Sequence, residues 1–205
     1  MHQHLTSHQH QYLTFDSHVT KIVQSCNYHV RGLRHIRQLI SKDMANTLLC
    51  SIVGCRLDYC NALLYGMLQR KNFNSLQRVQ NSLARVVCTA PHRCSSQPLL
   101  KSLHWLPVIE RVEYKLAAMT YKVRLHQQPS YLLQHISQYQ PVRSLCSSSS
   151  SQLTVPPTKT ITATRAFCIS APTVWNRLPS EVKEASSQSQ FLRRLKGHLF
   201  QRIFG

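Results

Sequence analysis

Apolar residues return every three or four positions through most of this chain, and that rhythm dictates helices. Between Asp16 and Leu39 the series is Val19, Ile22, Val23, Cys26, Val30, Leu33, Ile36 and Leu39. Ser41 can cap a second helix, with Asp43 in its first turn, where negative charge suits the macrodipole. It is expected to run to about Tyr65 and close at Gly66. A third helix starts near Asn72 and stops before Pro91, with Leu76, Val79, Leu83, Val86 and Val87 on one face and Gln77, Arg78, Asn81 and Arg85 pointing elsewhere. Three amphipathic helices with short connections make a small bundle. Pro107 opens another helix, whose expected buried face is Ile109, Val112, Leu116, Met119 and Val123, and a shorter one covers Tyr131 to Ile136.

Beyond Pro141 the rhythm changes. Ser144 to Gln152 reads as a flexible linker, and "LTVPPTKTITATRAFCIS" has the β-branched look of strand or extended chain. "APTVWNRLP" is a turn or short helix anchored by Trp175, and Gln190 to Phe200 is amphipathic again. The expected fold is mainly α: a three-helix bundle, further helices, and a small irregular or β C-terminal segment. Five segments follow: a disordered His/Gln-rich leader (1–12), the bundle (13–90), a helical extension (91–143), the linker (144–152) and a terminal segment (153–205).

Charge narrows the partners. Lys and Arg number 25 against 7 Asp and Glu, a formal +18 in 205 residues, and such a surplus favours a polyanion. The basic residues are spread along the chain, as on a folded face. No secretory leader and no membrane-length apolar run is visible, so the eight cysteines are expected to be reduced thiols and the protein intracellular.

Catalytic chemistry finds few footholds. Two-metal nucleotidyl transfer needs acidic groups that share cations, yet Asp16, Asp43 and Asp58 are isolated, and Glu110 and Glu113 suit a helix's first turn. Five scattered glycines form no phosphate loop. Cys50, Cys55 and Cys60 diverge on a regular helix, Cys88, His92 and Cys94 lack a fourth ligand, and His2, His4, His8 and His10 sit in the leader. No metal or other cofactor is expected. In "CRLDYCNALLYG", Arg56, Asp58 and Asn61 read as polar groups satisfied inside the fold, with Arg34 or Arg37 as the cation for Asp58.

Eight motifs occur in order: "LTFDSHV", "LRHIRQLI", "CRLDYCNALLYG", "LQRVQNSLARVV", "LLKSLHWLPVIERVEYKL", "PSYL", "TRAFCISAPTVWNRLP" and "FLRRLKGHLF". Together, from about Leu13 to Phe200, they resemble the C-terminal part of the reverse transcriptase of LINE-type (non-LTR) retrotransposons. The resemblance implies that Asp16 to Ala90 is a thumb, which holds a primer–template duplex, and that the rest is the family's C-terminal extension. The palm with its paired aspartates would lie upstream, so the chain is expected to be a non-catalytic remnant of a truncated element, not an enzyme unless a palm is supplied in trans. "GMLQRK" lacks the family's usual proline, and Thr164 stands where a glycine is common before "RAF". The expected activity is non-specific binding of RNA or an RNA–DNA duplex through phosphate contacts. Candidate contacts are Arg31, Arg34, Arg37, Arg78 and Arg85, with a second patch at Arg193, Arg194 and Lys196. The alternatives are a relic without selected function and a protein-interaction module built around Trp175.

Overall fold

The computed structural model describes residues 16–59, 65, 70–140, 151–159 and 166–205. They are mainly α-helical, with no sheet among the described residues. Helix α1 (Asp16–Ile36) buries Val19, Cys26, Val30 and Leu33, the stripe expected from spacing, and tightens into a 3-10 turn at Arg37–Leu39. Helix α2 (Lys42–Leu49) is capped as expected, Ser41 Oγ accepting from the Met44 amide at 3.2 Å.

The second helix does not reach Tyr65. It widens into a π turn at Cys50–Gly54, resumes as α3 (Cys55–Asp58) and stops where Tyr59 turns extended. Leu49, Val53 and Leu57 are all buried at a strict spacing of four. An α-helix over-rotates by about 40° in four residues, and the wider π turn offsets that drift, so one apolar line is kept. Gly54, a weak helix former, sits inside this turn.

Helix α4 (Arg70–Val87) lies along α1. Near its start Asn72 Nδ2 donates to Asp16 Oδ1 at 2.7 Å, and at its end the Arg37 guanidinium donates to the Val86 and Val87 carbonyls. Start meets start and end meets end, so α1 and α4 are parallel. The α2–α3 segment returns between these ends, bringing the Tyr59 ring to 6.2 Å from His18.

Helix α5 (Ser96–Ser102) packs on α4, and α6 (Val108–His126) joins the two halves of the molecule. Gln80, 2% exposed on α4, donates to the Leu106 carbonyl at 2.8 Å, while Gln77 Oε1 accepts the Val108 amide at 2.9 Å. Gln77 and Asn81, expected to point away from the packing, instead bond each other beside the start of α6. On α6 itself Val112, Leu116 and Val123 are buried as expected, but Ile109 and Met119 are exposed, and Val108, Ala117, Thr120 and Tyr121 take their place. The helix is covered from several sides, by α4, α8 and α10, and its buried face is correspondingly wide.

The remaining helices are α7 (Ser130–Leu133), α8 (Phe167–Asn176), α9 (Ser180–Lys183) and α10 (Gln188–Phe204). Tyr121 OH donates to the Ala185 carbonyl at 2.8 Å near the start of α10, and Arg202 near its end meets Glu113 at 2.5 Å near the start of α6. Helices α6 and α10 are therefore antiparallel. Between them Tyr121 stacks on Phe191 at 4.1 Å, and Trp175 lies 5.8 Å from Phe191.

Of the stretch expected to be strand or extended chain, the described residues form one isolated bridge, Leu153 with Gln138. Leu153 is held by Asn176, whose side chain bonds both its amide and its carbonyl at 2.9 and 2.8 Å. At the end of the expected linker Ser151 is anchored, its carbonyl accepting from the Trp175 indole at 2.7 Å. Residues 144–150 of the linker, the 1–12 leader and 160–165 lie outside the described residues. One apolar core runs from Val19 to Leu199, crossing the boundary expected after residue 90. No described helix is long and apolar enough to cross a membrane.

Candidate nucleic-acid interface

Parallel packing puts the C-terminal ends of α1 and α4 side by side, and a cleft of about 340 Å³ opens between them. Its lining includes Arg34, Arg37, Arg85 and His92, with Ser82 and Thr89, and holds no carboxylate. Each helix end carries roughly half a negative charge on its free carbonyls, so cations gain from standing there. Three guanidinium groups exceed what two helix ends can offset. A net positive charge remains, open to an anion.

The three arginines are not equivalent. Arg37 follows Val30 by seven residues, which places it almost on the apolar stripe. It turns inward: Nε donates to Val86 O at 3.0 Å, Nη2 to Val87 O at 2.8 Å and Nη1 to Ile40 O at 2.8 Å. Arg85 Nε donates to the Cys94 carbonyl at 3.1 Å, fixing the loop that carries His92. Arg34 is exposed and has no hydrogen-bond or ion-pair partner among the described residues. Arg31, one turn earlier, is also exposed, and Arg78 continues the line of Ser82 and Arg85 along α4.

The α4 terminus is closed by a hydrogen-bond pair, Ala90 N to Arg85 O at 2.9 Å and Thr89 N to Val86 O at 3.2 Å. Thr89 adopts φ 51° there. That position favours glycine, and a β-branched residue in it is strained. Sequence spacing alone did not single out His92 or Thr89 as cleft residues, because both follow the helix in a loop.

The second expected patch is divided. Phe191, Leu195 and Leu199 bury one side of α10, so Arg194 and Lys196 fall on opposite flanks with Arg193 between them, facing outward. Arg194 Nη1 donates to the Glu181 carbonyl at 2.6 Å, whereas Lys196 lines a different cleft, against α6.

Asp58 is paired, but not with α1. Arg111 takes both carboxylate oxygens, at 2.9 and 2.5 Å, and Lys115 donates to the Asp58 carbonyl at 2.6 Å. The correction is topological: the α2–α3 segment returns Asp58 to the beginning of α1, while Arg34 and Arg37 stand at its far end, about 27 Å away along a helix. Arg56 bonds within its own helix, Nη1 to Ile52 O at 2.5 Å, and Asn61 lies outside the described residues.

Among the described residues no three His, Cys, Asp or Glu side chains gather to hold a metal ion. His2, His4, His8 and His10 lie outside them. Cys50 and Cys55 are both exposed, and Cys60 lies outside the described residues. Comparison of the chain with protein-family models, curated proteins and solved structures finds no match.

Proposed function

We propose that this chain corresponds to the thumb and C-terminal extension of a LINE-type reverse transcriptase, and that it grips RNA or an RNA–DNA duplex without reading base sequence. On this reading it performs no nucleotidyl transfer by itself. The observation that carries the proposal is the cleft at the paired ends of α1 and α4, where Arg34, Arg37, Arg85 and His92 meet without a carboxylate. The formal +18 of the chain adds long-range attraction for a polyanion. Asp58, the aspartate of "CRLDYCNALLYG", is engaged by two cations and not by other carboxylates, which supports a structural role for it.

An interaction module built on Trp175 has less support. That side chain is 1% exposed, its indole N–H is bonded, and Arg124 lies over its ring at 4.7 Å. Ile36, Leu39 and Met44, exposed around the α1–α2 corner, offer apolar surface to a palm in a longer chain or in trans.

Gel-shift titration of an RNA–DNA hybrid across a salt series tests the proposal. The expected result is binding at low salt that weakens steeply as salt rises, with little dependence on sequence. Absence of binding at low salt, or indifference to salt, contradicts it. Primer–template and nucleotides supplied to the purified chain are expected to give no extension.

A further inference from the structure

A second cleft, of about 290 Å³, lies where the π turn and α3, the loop before α6, α6 itself and α10 meet. Its charges are Asp58 against Arg111, Lys115 and Lys196, so it is cationic even after the Asp58 pair is satisfied. Arg111 is spent on both oxygens of that carboxylate, and Lys115 holds the Asp58 carbonyl. Lys196 is exposed on the α10 side and has no partner among the described residues. Trp105 and Tyr114 supply aromatic surface in the lining. Partial burial raises the Tyr114 phenol, keeping it a neutral hydrogen-bond donor, and partial loss of water likewise raises the thiol of the otherwise exposed Cys50, so neither adds negative charge near neutrality.

The size approaches that of small-ligand sites, and mostly apolar walls with a few convergent polar groups are what such sites use. A bare inorganic anion would leave the aromatic surface idle, and an uncharged aromatic would leave Lys196 idle. We infer that this cleft binds a nucleoside monophosphate unit, its phosphate on Lys196 beside Lys115 and its base against Trp105 and Tyr114. The unit is either a free nucleotide or one nucleotide of a single strand. The site is separate from the α1–α4 cleft and does not depend on duplex binding there.

Calorimetric titration of the full chain with uridine 5′-monophosphate, uridine, inorganic phosphate and a 5′-phosphorylated tetraribonucleotide tests this. Loss of one charge-assisted contact is expected to cost about tenfold in affinity, so uridine binds at least that much more weakly than its monophosphate. Lys196→Gln weakens the monophosphate by about the same factor, Lys196→Arg retains it, and the exposed control Lys122→Gln changes nothing. An unchanged melting temperature shows that Lys196→Gln is folded. Tighter binding of the tetranucleotide, lost in Lys196→Gln, assigns the site to a strand, and binding of the monophosphate alone assigns it to free nucleotide. Equal binding by uridine and its monophosphate, equal binding by inorganic phosphate, or wild-type affinity in Lys196→Gln overturns the inference. A hybrid that fails to bind removes the duplex proposal and leaves these readings intact.

Discussion

Helices α1 and α4 run parallel, and the arginines at their joined ends line a cleft without any carboxylate. Helices α6 and α10 run antiparallel, and there Glu110 and Glu113 near the start of one face Arg202 near the end of the other. All four helices carry basic residues in the last turn, where the macrodipole favours them, and α1 and α6 carry an acid in the first. The direction of packing decides which of these ends meet. In the antiparallel pair opposite charges meet and cancel; in the parallel pair like charges accumulate. A chain with 25 basic and 7 acidic side chains has few acids to set against the second arrangement, and the cleft keeps a surplus of positive charge. Burial raises the Glu110 carboxyl, and its neighbour Glu113 adds to this, against the lowering effect of its own backbone hydrogen bond and Arg202. The electrostatics of this pair are thus local.

The cores differ too, aliphatic in the bundle and aromatic around Trp175, yet they are continuous. Trp175→Ala is expected to cost about 4 kcal/mol and Leu76→Ala, in the bundle, about 3 kcal/mol. Both should lower one shared calorimetric transition, since the core is shared. Two transitions, each moved by one variant, would divide the molecule where the comparison joins it.

Alkaline pH should act on the bundle. Burial pushes the Cys26 thiol from 9.0 up to about 11, with Arg56 opposing and Cys55 adding to the shift. The folded state keeps this proton after the unfolded chain has lost it. Its contribution is therefore complete below about pH 9 and falls away through about pH 11, by roughly 2–3 kcal/mol. Denaturant titrations of wild type and Cys26→Ala between those limits check this, the variant lacking that part of the decline.

Within the cleft Arg37 and Arg34 should separate. Arg37→Ala strips donors from three carbonyls and is expected to cost about 2 kcal/mol of stability. Arg34→Gln should change stability by less than about 0.5 kcal/mol while weakening hybrid binding. A small effect is also expected at Glu113→Gln, under about 1 kcal/mol, because Arg202 is substantially exposed. A larger loss there would mean that the antiparallel pair is held by its charges more than by its aromatic core.

Much of the helical fold was legible because apolar spacing is a local property: α1, α4 and α10 lie close to where their stripes place them. Helix α6 was legible in extent but not in its buried face, since partners on several sides decide which ridges are covered. The break at Cys50–Gly54 is marked only by the strict interval of four between Leu49, Val53 and Leu57, and of the strand or extended chain expected after Leu153 the described residues form one isolated bridge. The candidate site was half legible. Five arginines were chosen because they left the apolar stripes, but Arg37 does not quite leave its stripe, and the interval of seven from Val30 could have revealed that. The partner of Asp58 was hidden because it depends on chain direction, which no single segment encodes.

The most direct measurement of the central claim is the affinity of an RNA–DNA hybrid for wild type and Arg34→Gln, from about 50 to 200 mM salt, alongside Lys122→Gln. The account predicts that Arg34→Gln binds about tenfold more weakly at low salt and loses roughly one unit of the slope of log affinity against log salt, while Lys122→Gln stays close to wild type. Equal losses in the two variants would show that bulk charge, and not the cleft between the parallel helix ends, holds the nucleic acid.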